Sequence, residues 1–284
     1  MIIETRARYH GVSTRVLSVA GSGTPIVLLH GFADSVETWR GLMSELEASG
    51  RAAIAVDLPG YGAADPRRPG ELMPQLDSFV DAIVAELGPV ILIGNSLGAC
   101  LSVRAASRGS ANVRGVVAVD EPILASHVAA RIIRGRIDPF VILQKWLPVP
   151  KHLYRAMVRG AFARALSGDP RSADPDAVSR FARQVPDLAA LRRMLADARV
   201  VALETAGGYD SEKVRCPLLV VHGRLDRVIP VHASVRLHRS VPGSTLVVME
   251  HSAHCPQLDD PAGFTKHVLQ FLGSERPNVG HRAV

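Results

Sequence analysis

The pentapeptide Gly94-Asn95-Ser96-Leu97-Gly98 decides the fold of this 284-residue chain. It follows the apolar run Val90–Gly94 and opens the helical stretch Leu97–Arg108, so it lies at a predicted strand-to-helix turn. A GxSxG sequence arises by chance in many chains, and this context gives it weight. The two glycines permit a sharp turn, because a side chain at either place would crowd the neighbouring elements. We therefore expect a strained backbone at Ser96 that lifts its hydroxyl clear of the sheet.

Short apolar runs alternate with helical stretches on both sides of this turn. Fully apolar strands separated by helices predict an α/β fold, with a mostly parallel sheet that carries helices on both faces. The segments around His10 predict an N-terminal β-hairpin. The predicted parallel strands are Ile26–His30, Ala53–Asp57, Val90–Gly94, Val116–Asp120, Leu218–Val221 and Leu246–Met249. The helices predicted between and after them are Val36–Ser49, Leu72–Leu87, Leu97–Arg108, Ala233–Ser240 and Ala262–Leu272.

The segment between the fourth and fifth of these strands is too long for a simple crossover. Residues 121–207 offer no convincing strand and instead predict helices near Ile123–Arg134, His152–Leu166, Asp176–Gln184 and Leu188–Glu204. We expect a helical lid here, inserted between the two parts of the core at 1–120 and 208–273. Substrates of open α/β sheets bind at the carboxyl ends of the strands, which this lid would cover. The polar residues 274–284 are predicted to form a disordered tail.

Composition narrows the class of protein further. The net charge is +6, and residues 121–207 account for the whole excess; their arginines alternate with acidic residues, which favours solvated helix faces over a nucleic-acid site. There is no leader-like start and no apolar run long enough for a bilayer. Cys100, Cys216 and Cys255 show no CxxC spacing, which argues against disulfides and structural zinc. We expect a cytoplasmic protein without metal, cofactor or membrane insertion, and leave a homodimer open.

A second motif, His30-Gly31-Phe32, follows the first predicted parallel strand. An acyl-transfer enzyme needs fixed backbone donors for the oxyanion of its tetrahedral intermediate. The N–H of Leu97, at a helix N-terminus, and the N–H of Phe32 are the candidates. Asp34 is a tempting acid nearby, but its spacing to Glu37 at a helix start favours a capping box.

Two further motifs supply a base and an acid. HGRLDRVIP places Asp226 four residues past one strand, and HSAHCPQLDDP places His254 five residues past the next. Ser96, Asp226 and His254 therefore all fall on loops at the carboxyl edge of the sheet. A hydroxyl nucleophile needs a general base, and that imidazole needs an acid to fix its tautomer, so we predict these three residues as a triad. Asp120 is the alternative acid and His251 the alternative base.

These motifs resemble the α/β-hydrolase superfamily over about residues 26–271. The matching stretches are HGF with the downstream Trp39, DLPGYG at 57–62, GNSLG around Ser96, HGRLDRVIP at 222–230 and HxxHxP at 251–256. A serine at position 96 argues against the epoxide hydrolases and haloalkane dehalogenases, which use an aspartate nucleophile. Asn95 is similar to the GNS sequence of carbon–carbon bond hydrolases that cleave ring-fission products. Those enzymes usually carry tryptophan after the catalytic histidine, where this chain has Cys255, and glycine before it, where this chain has Ala253.

The expected function is hydrolysis of a small or medium carboxylic ester, thioester or lactone through an acyl-enzyme. The alternatives are a carbon–carbon bond hydrolase, a lyase or perhydrolase on the same residues, and a binding protein without turnover. No cofactor is expected, and the partner is a small ester-like molecule. The apolar residues of the lid that are candidates for lining a substrate pocket, or for forming only the lid's own core, are Phe140, Trp146, Leu147, Met157 and Phe162.

Overall fold

A computed structural model of the chain describes residues 1–122, 150–171 and 173–274. Its centre is one eight-stranded sheet with the spatial order β1-β2-β4-β3-β5-β6-β7-β8. The strands are β1 (Ile3–Tyr9), β2 (Val12–Val19), β3 (Ser22–Leu29), β4 (Arg51–Val56), β5 (Val90–Asn95), β6 (Val113–Val119), β7 (Leu218–Gly223) and β8 (Thr245–Met249). β1 pairs antiparallel with β2, and β2 pairs antiparallel with β4. The other pairs are parallel, which confirms the predicted hairpin followed by six parallel strands.

Helices pack on both faces of this sheet. Those of the described core are α1 (Arg40–Ala48), α2 (Leu72–Leu87), α3 (Leu97–Ser107), α7 (His232–Ser240), α8 (Pro256–Asp259) and α9 (Pro261–Ser274). Side chains of β3 alternate between the faces, as a strand dictates: Leu28 is buried with Trp39 and Phe264, and Leu29 with Phe79 of α2. Both faces are thus apolar, which explains why the strands read as continuous apolar runs.

Three described helices lie between β6 and β7 in the chain. They are α4 (Lys151–Leu166), α5 (Pro175–Gln184) and α6 (Leu188–Glu204). The side chain of Asp187 caps α6 by accepting a hydrogen bond from the N–H of Ala190. The predicted helix at 123–134 lies outside the described residues, and the predicted lid with its bounds at 121–207 remains a prediction.

Carboxylates of the last helix of this insertion bond to the core: Asp197 forms an ion pair with Arg67 at 2.7 Å, and Glu204 caps α2. Glu204 of α6 accepts hydrogen bonds from the backbone N–H groups of Leu72 and Met73, at 2.9 and 2.6 Å. These donors are free in the first turn of α2, where the helix dipole also favours a negative charge. The contact fixes α6 beside the core. In the part of the chain that the structure describes, no helix combines the length and apolar character needed to cross a membrane.

The predicted single helix at 36–49 is wrong in one detail. Residues Val36–Trp39 form a 3-10 turn, and the α-helix begins only at Arg40. The N–H of Val36 donates to the buried carboxylate of Asp57, at 2.8 Å, rather than to a side chain before the helix. The cap that opens this segment therefore comes from a distant residue, which local spacing does not reveal.

Candidate active site

Ser96 occupies a strained turn between β5 and α3. Its φ of 52° and ψ of −112° place a non-glycine residue in the left-handed region. A Cβ on Gly94 would lie 2.1 Å from the carbonyl carbon of Gly98, and a Cβ on Gly98 would lie 2.0 Å from the carbonyl oxygen of Leu29. The helix thus touches the sheet backbone at a distance that only glycine allows. This geometry agrees with the strain predicted at Ser96, whose catalytic role remains a proposal.

The loop after β3 runs beside this turn. A Cβ on Gly31 would lie 3.2 Å from Oδ1 of Asn95 and 3.4 Å from Cβ of Ser96. Phe32 follows at once, with its ring centroid 5.6 Å from that of Tyr61. Leu97 is the first residue of α3, where backbone N–H groups have no partner inside the helix. Phe32 thus directly follows a residue that lies beside Ser96, Leu97 directly follows Ser96 in the chain, and their roles as oxyanion donors remain predictions.

His254 and Asp226 form a direct hydrogen bond. Nδ1 of His254 donates to Oδ2 of Asp226 at 2.7 Å, and the side chain of Asp226 is fully buried. Oδ1 of Asp226 accepts from the N–H groups of Val228 and Ile229, at 2.6 and 3.0 Å. Burial alone opposes ionisation, but the charge of His254 and these hydrogen bonds outweigh it and lower the pKa of Asp226. These contacts favour the ionised form of Asp226 beside Nδ1 of His254, and its role as the orienting acid remains a prediction.

The two competing residues, Asp120 and His251, do not take part in this hydrogen bond. Asp120 is buried near Asp226, but its carboxylate accepts from the N–H of Gly223, at 3.0 Å, rather than contacting His254. His251 is exposed to solvent. The structure thus joins the preferred acid to the preferred base, whereas Asp120 lies beside Asp226 and its side chain bonds to Gly223.

Two hydrogen bonds that the sequence motifs do not predict hold the loop of His254. Nδ2 of Asn95 donates to the backbone carbonyl of His254 at 3.0 Å. Oδ2 of Asp259 accepts from the N–H of Ala253, at 2.7 Å, and from the N–H of Gly168 in the insertion, at 3.1 Å. The GNS sequence and the acidic pair after HxxHxP mark Asn95 and Asp259, but their partners His254 and Gly168 lie 159 and 91 positions away, which local spacing does not reveal. One carboxylate thereby joins the base loop to the insertion.

The capping box predicted for Asp34 and Glu37 is wrong. Glu37 bonds to Arg15 at 3.0 Å and to Arg40, and the residue at the N-cap is Ser35, which makes no side-chain capping hydrogen bond. Neither carboxylate oxygen of Asp34 forms a hydrogen bond with a described residue. Burial raises the pKa of Asp34 to about 7, although the charge of Arg180 partly offsets the effect. Asp34 is thus a buried titratable group two residues from Phe32.

The predicted pocket residues divide into three groups. Phe162 packs on Phe181, with ring centroids 5.5 Å apart, and this pair adjoins Cys255, the neighbour of His254. Met157 is 47% exposed on α4. A substrate contact for either residue remains a prediction. The other three candidates, Phe140, Trp146 and Leu147, lie outside the described residues.

This chain is similar to known proteins over most of its length. The sequence profile described as the alpha/beta hydrolase family matches residues 26–266. A 2-hydroxy-6-oxo-2,4-heptadienoate hydrolase of Pseudomonas putida is 30% identical over 280 residues, which cover 93% of this chain and 94% of that protein. A pimeloyl-[acyl-carrier protein] methyl ester esterase of Neisseria meningitidis is 29% identical over 252 residues, covering 87% of this chain and 93% of the esterase.

Solved structures share the same architecture. A meta-cleavage product hydrolase from Pseudomonas fluorescens superposes with a TM-score of 0.77 at 18% identity, covering 96% of this chain and 98% of that one. A thermophilic esterase from Thermogutta terrifontis gives a TM-score of 0.70 at 21% identity, covering 96% and 98%. At these identities the structural likeness establishes the fold alone.

Proposed function

The chain belongs to the α/β-hydrolase family, and on that premise we propose that it hydrolyses a small or medium carboxylic ester, thioester or lactone. The reaction would pass through an acyl-enzyme on Ser96. The observation that carries this proposal is the 2.7 Å hydrogen bond between His254 and Asp226, on the sheet edge that also carries the strained Ser96 turn. A nucleophile without an oriented base has no means to lose its proton, so this pair is the feature that distinguishes a working site from a structural turn.

In the first step, Nε2 of His254 accepts the hydroxyl proton of Ser96 while the oxygen attacks the substrate carbonyl. The hydrogen bond to Asp226 leaves Nε2 as the unprotonated nitrogen, because Nδ1 must carry the proton that the carboxylate accepts. Asp226 then stabilises the imidazolium through its negative charge. His254 returns the proton to the leaving alcohol or thiol, and the acyl group remains on Ser96.

The oxyanion formed in this step needs donors that are already in place. The N–H of Leu97 lies at the start of α3, where the helix dipole also favours negative charge. The N–H of Phe32, on the loop that passes beside Ser96, is the second donor. Each such donor contributes about 3–4 kcal/mol to the stability of the transition state. In the second half of the reaction, a water gives a proton to His254 and attacks the acyl group; the bond from the acyl carbon to Oγ of Ser96 breaks, His254 returns the proton to Ser96, and the acid leaves.

Initial rates on p-nitrophenyl esters from acetate to palmitate test this proposal. We expect hydrolysis by the wild type and its loss in Ser96→Ala, with the chain-length optimum reporting the size of the pocket. Ser107→Ala, at the other end of α3, is the matched control and should retain the activity. A folded wild type that hydrolyses no ester, or a Ser96→Ala variant that keeps its rate, overturns the proposal. Labelling of Ser96 by a fluorophosphonate separates an active site with another substrate from a binding protein.

A second candidate function is cleavage of a carbon–carbon bond in a dienoate. The relative from P. putida is named for a heptadienoate, which carries a carboxylate. Arg180 of α5 supports this alternative, because it lies close enough to Asp34 to lower the pKa of that acid and its buried Nε has no hydrogen-bond partner among the described residues. A cation near Asp34 whose Nε donor is unused among the described residues suits an anionic substrate.

Absorbance assays with a 2-hydroxy-6-oxo-dienoate decide between the two functions. Turnover of the dienoate that far exceeds turnover of any ester favours the second. In that case Arg180→Met should raise KM for the dienoate and leave a neutral ester unaffected. Arg183→Met, on the exposed side of the same helix, is the control. An equal loss on both substrates would contradict the role assigned to Arg180.

A further inference from the structure

Asp120 stands directly behind the Asp226–His254 pair and is not used by the proposed reaction. It follows β6 with a φ of 49°, a conformation that costs a non-glycine residue free energy and persists only where the surroundings hold it. Its backbone N–H donates to the carbonyl of Val221 in β7, at 3.0 Å, and its side chain is fully buried. The fold therefore keeps a carboxyl group in a strained and solvent-free place, beside a second carboxyl group.

The side chain of Asp120 holds the strand end from which the Asp226 loop departs. Its Oδ1 accepts from the N–H of Gly223 at 3.0 Å, and the carbonyl of Gly223 accepts from the N–H of Asp226, also at 3.0 Å. A Cβ on Gly223 would lie 1.9 Å from the carbonyl oxygen of Ala253, so this strand end also touches the loop of His254. Asp120 therefore bonds to Gly223, and the backbone of Gly223 contacts the loops of both Asp226 and His254.

The hydrogen bonds of His222 bear on the protonation state of Asp120. Its Nε2 lies 3.1 Å from the carbonyl of Ile229, and because a carbonyl only accepts, Nε2 carries the hydrogen. In a neutral ring Nδ1 is then an acceptor, and it lies 2.8 Å from the hydroxyl of Ser234 and 3.1 Å from Oδ1 of Asp120. An ionised Asp120 would set two acceptors against each other with no water between them. One proton must therefore lie on this side of the cluster.

The neighbouring acid, Asp226, gives a second reason to place a proton on Asp120. One side-chain oxygen each of Asp120 and Asp226 and a ring nitrogen of His222 all lie within 4.8 Å of one another. Oδ2 of Asp120 is buried and accepts no hydrogen bond from a described residue, whereas both oxygens of Asp226 already accept from donors. Two buried carboxylates at this distance cannot both ionise without a large energetic cost. Asp226 has the donors that stabilise a charge, so Asp120 is the partner that keeps the proton.

We propose that Asp120 is held as a neutral carboxylic acid and acts as a positioning residue for Asp226 and His254. This inference rests on the proposed function for its catalytic meaning. The acid's single proton is donated to one of the two acceptors beside it, Nδ1 of His222 or a carboxylate oxygen of Asp226, and in either case one negative charge remains beside His254. One charge stabilises the imidazolium formed during the reaction. A second charge would also favour the protonated ring before substrate arrives, and a protonated ring cannot act as the base.

The electrostatic surroundings agree with this assignment. Burial and the charge of Asp226 raise the pKa of Asp120, and burial lowers the pKa of His222, which favours a neutral ring. The described titratable groups that face this cluster from the neighbouring elements are Asp226, His232, His254, Cys255 and Asp259.

Infrared difference spectroscopy tests the protonation state without a substrate. The wild type minus Asp120→Asn spectrum at neutral pH should contain the carbonyl stretch of a neutral carboxylic acid, shifted by ¹³C labelling of aspartate. ¹⁵N NMR of the His222 ring should report the neutral form with hydrogen on Nε2. A spectrum with carboxylate bands only, or a His222 ring protonated on both nitrogens, overturns the proposal. These measurements stand even if the proposed ester hydrolysis fails.

The pH profile of kcat/KM on the best ester tests the positioning role. Asparagine retains an acceptor for Gly223 and a donor for Asp226 without adding a charge, so Asp120→Asn should keep the acid limb of the profile in place. Asp120→Leu removes both contacts and should lower kcat/KM about tenfold or more. If Asp120 is ionised, the asparagine variant instead moves the acid limb downward by about 1–3 pH units, as expected on loss of a nearby buried charge. Such a shift, or full activity in Asp120→Leu, contradicts the proposal; Asp210→Asn on the surface is the control.

Discussion

Nδ2 of Asn95 donates a hydrogen bond to the backbone carbonyl of His254 across 3.0 Å, and both residues are buried. The residue before the candidate nucleophile thus holds the loop of the candidate base. This contact joins β5 to the segment after β8, which are far apart in the sequence and meet only in the folded sheet.

Replacing Asn95 by alanine should therefore impair the relative placement of Ser96 and His254. We expect kcat/KM on the best ester to fall about tenfold, the size of a lost buried hydrogen bond that leaves a carbonyl unsatisfied. Steady-state rates at constant pH measure the effect. Asn112→Ala, before β6 at the opposite end of the sheet, should leave kcat/KM unchanged; a similar loss in both variants would mean a general loss of stability.

Asp226→Asn should nearly abolish the reaction while leaving the fold intact. An amide donates where the carboxylate accepted, so it favours the wrong tautomer of His254 and withdraws the charge that stabilises the imidazolium. We expect kcat to fall by about 10³–10⁴-fold, as in serine triads generally. Single-turnover kinetics and circular dichroism of the variant are the measurements. If Asp226→Asn is nearly active and Asp120→Asn is not, Asp120 is the orienting acid after all.

Two glycine substitutions, one in the turn around Ser96 and one on an exposed helix face, should change the free energy of unfolding in opposite directions. Gly98→Ala places a methyl group 2.0 Å from the carbonyl oxygen of Leu29, which forces helix and sheet apart, and should lower the free energy of unfolding by about 2 kcal/mol or more. Gly41→Ala lies on the exposed face of α1 with no atom within 4 Å, and should raise stability by up to about 1 kcal/mol. Urea unfolding of both variants decides; a neutral Gly98→Ala would refute the close contact.

The buried carboxyl of Asp34 should cause the free energy of unfolding to fall as the pH rises through the acid range. Burial raises the pKa of its carboxyl from an ordinary 3.8 to about 7, so the native state binds more protons than the unfolded chain between these values. The free energy of unfolding attributable to Asp34 therefore decreases with pH, by about 2 kcal/mol from pH 5 to pH 7. Asp34→Asn lacks this loss, so its stability relative to the wild type should increase over that range. Urea unfolding at several pH values measures the difference, and parallel curves would contradict the shifted pKa.

The sequence determined which six segments form the parallel strands, where the sharp turn at Ser96 lies, and where the loops of Asp226 and His254 begin. It could do so because these features are local: buried parallel strands are continuous apolar runs, and Gly94 and Gly98 mark a turn that excludes side chains. The same locality explains the failure at Asp34. Its spacing to Glu37 fits a capping box, but Asp57 and Arg15, which come from distant segments, and the nearby Arg40 compete for the same groups.

Only the tertiary structure decided which buried acid contacts His254, because Asp120 and Asp226 both follow strands that end at the same edge. It also decided that Asn95 and Asp259 hold the base loop, and that Glu204 joins the insertion to α2. Hydrogen bonds and burial depend on distances between segments that meet across the sheet. Sequence spacing fixes which side chains arrive at that edge, and the packing of the whole chain fixes which of them touch.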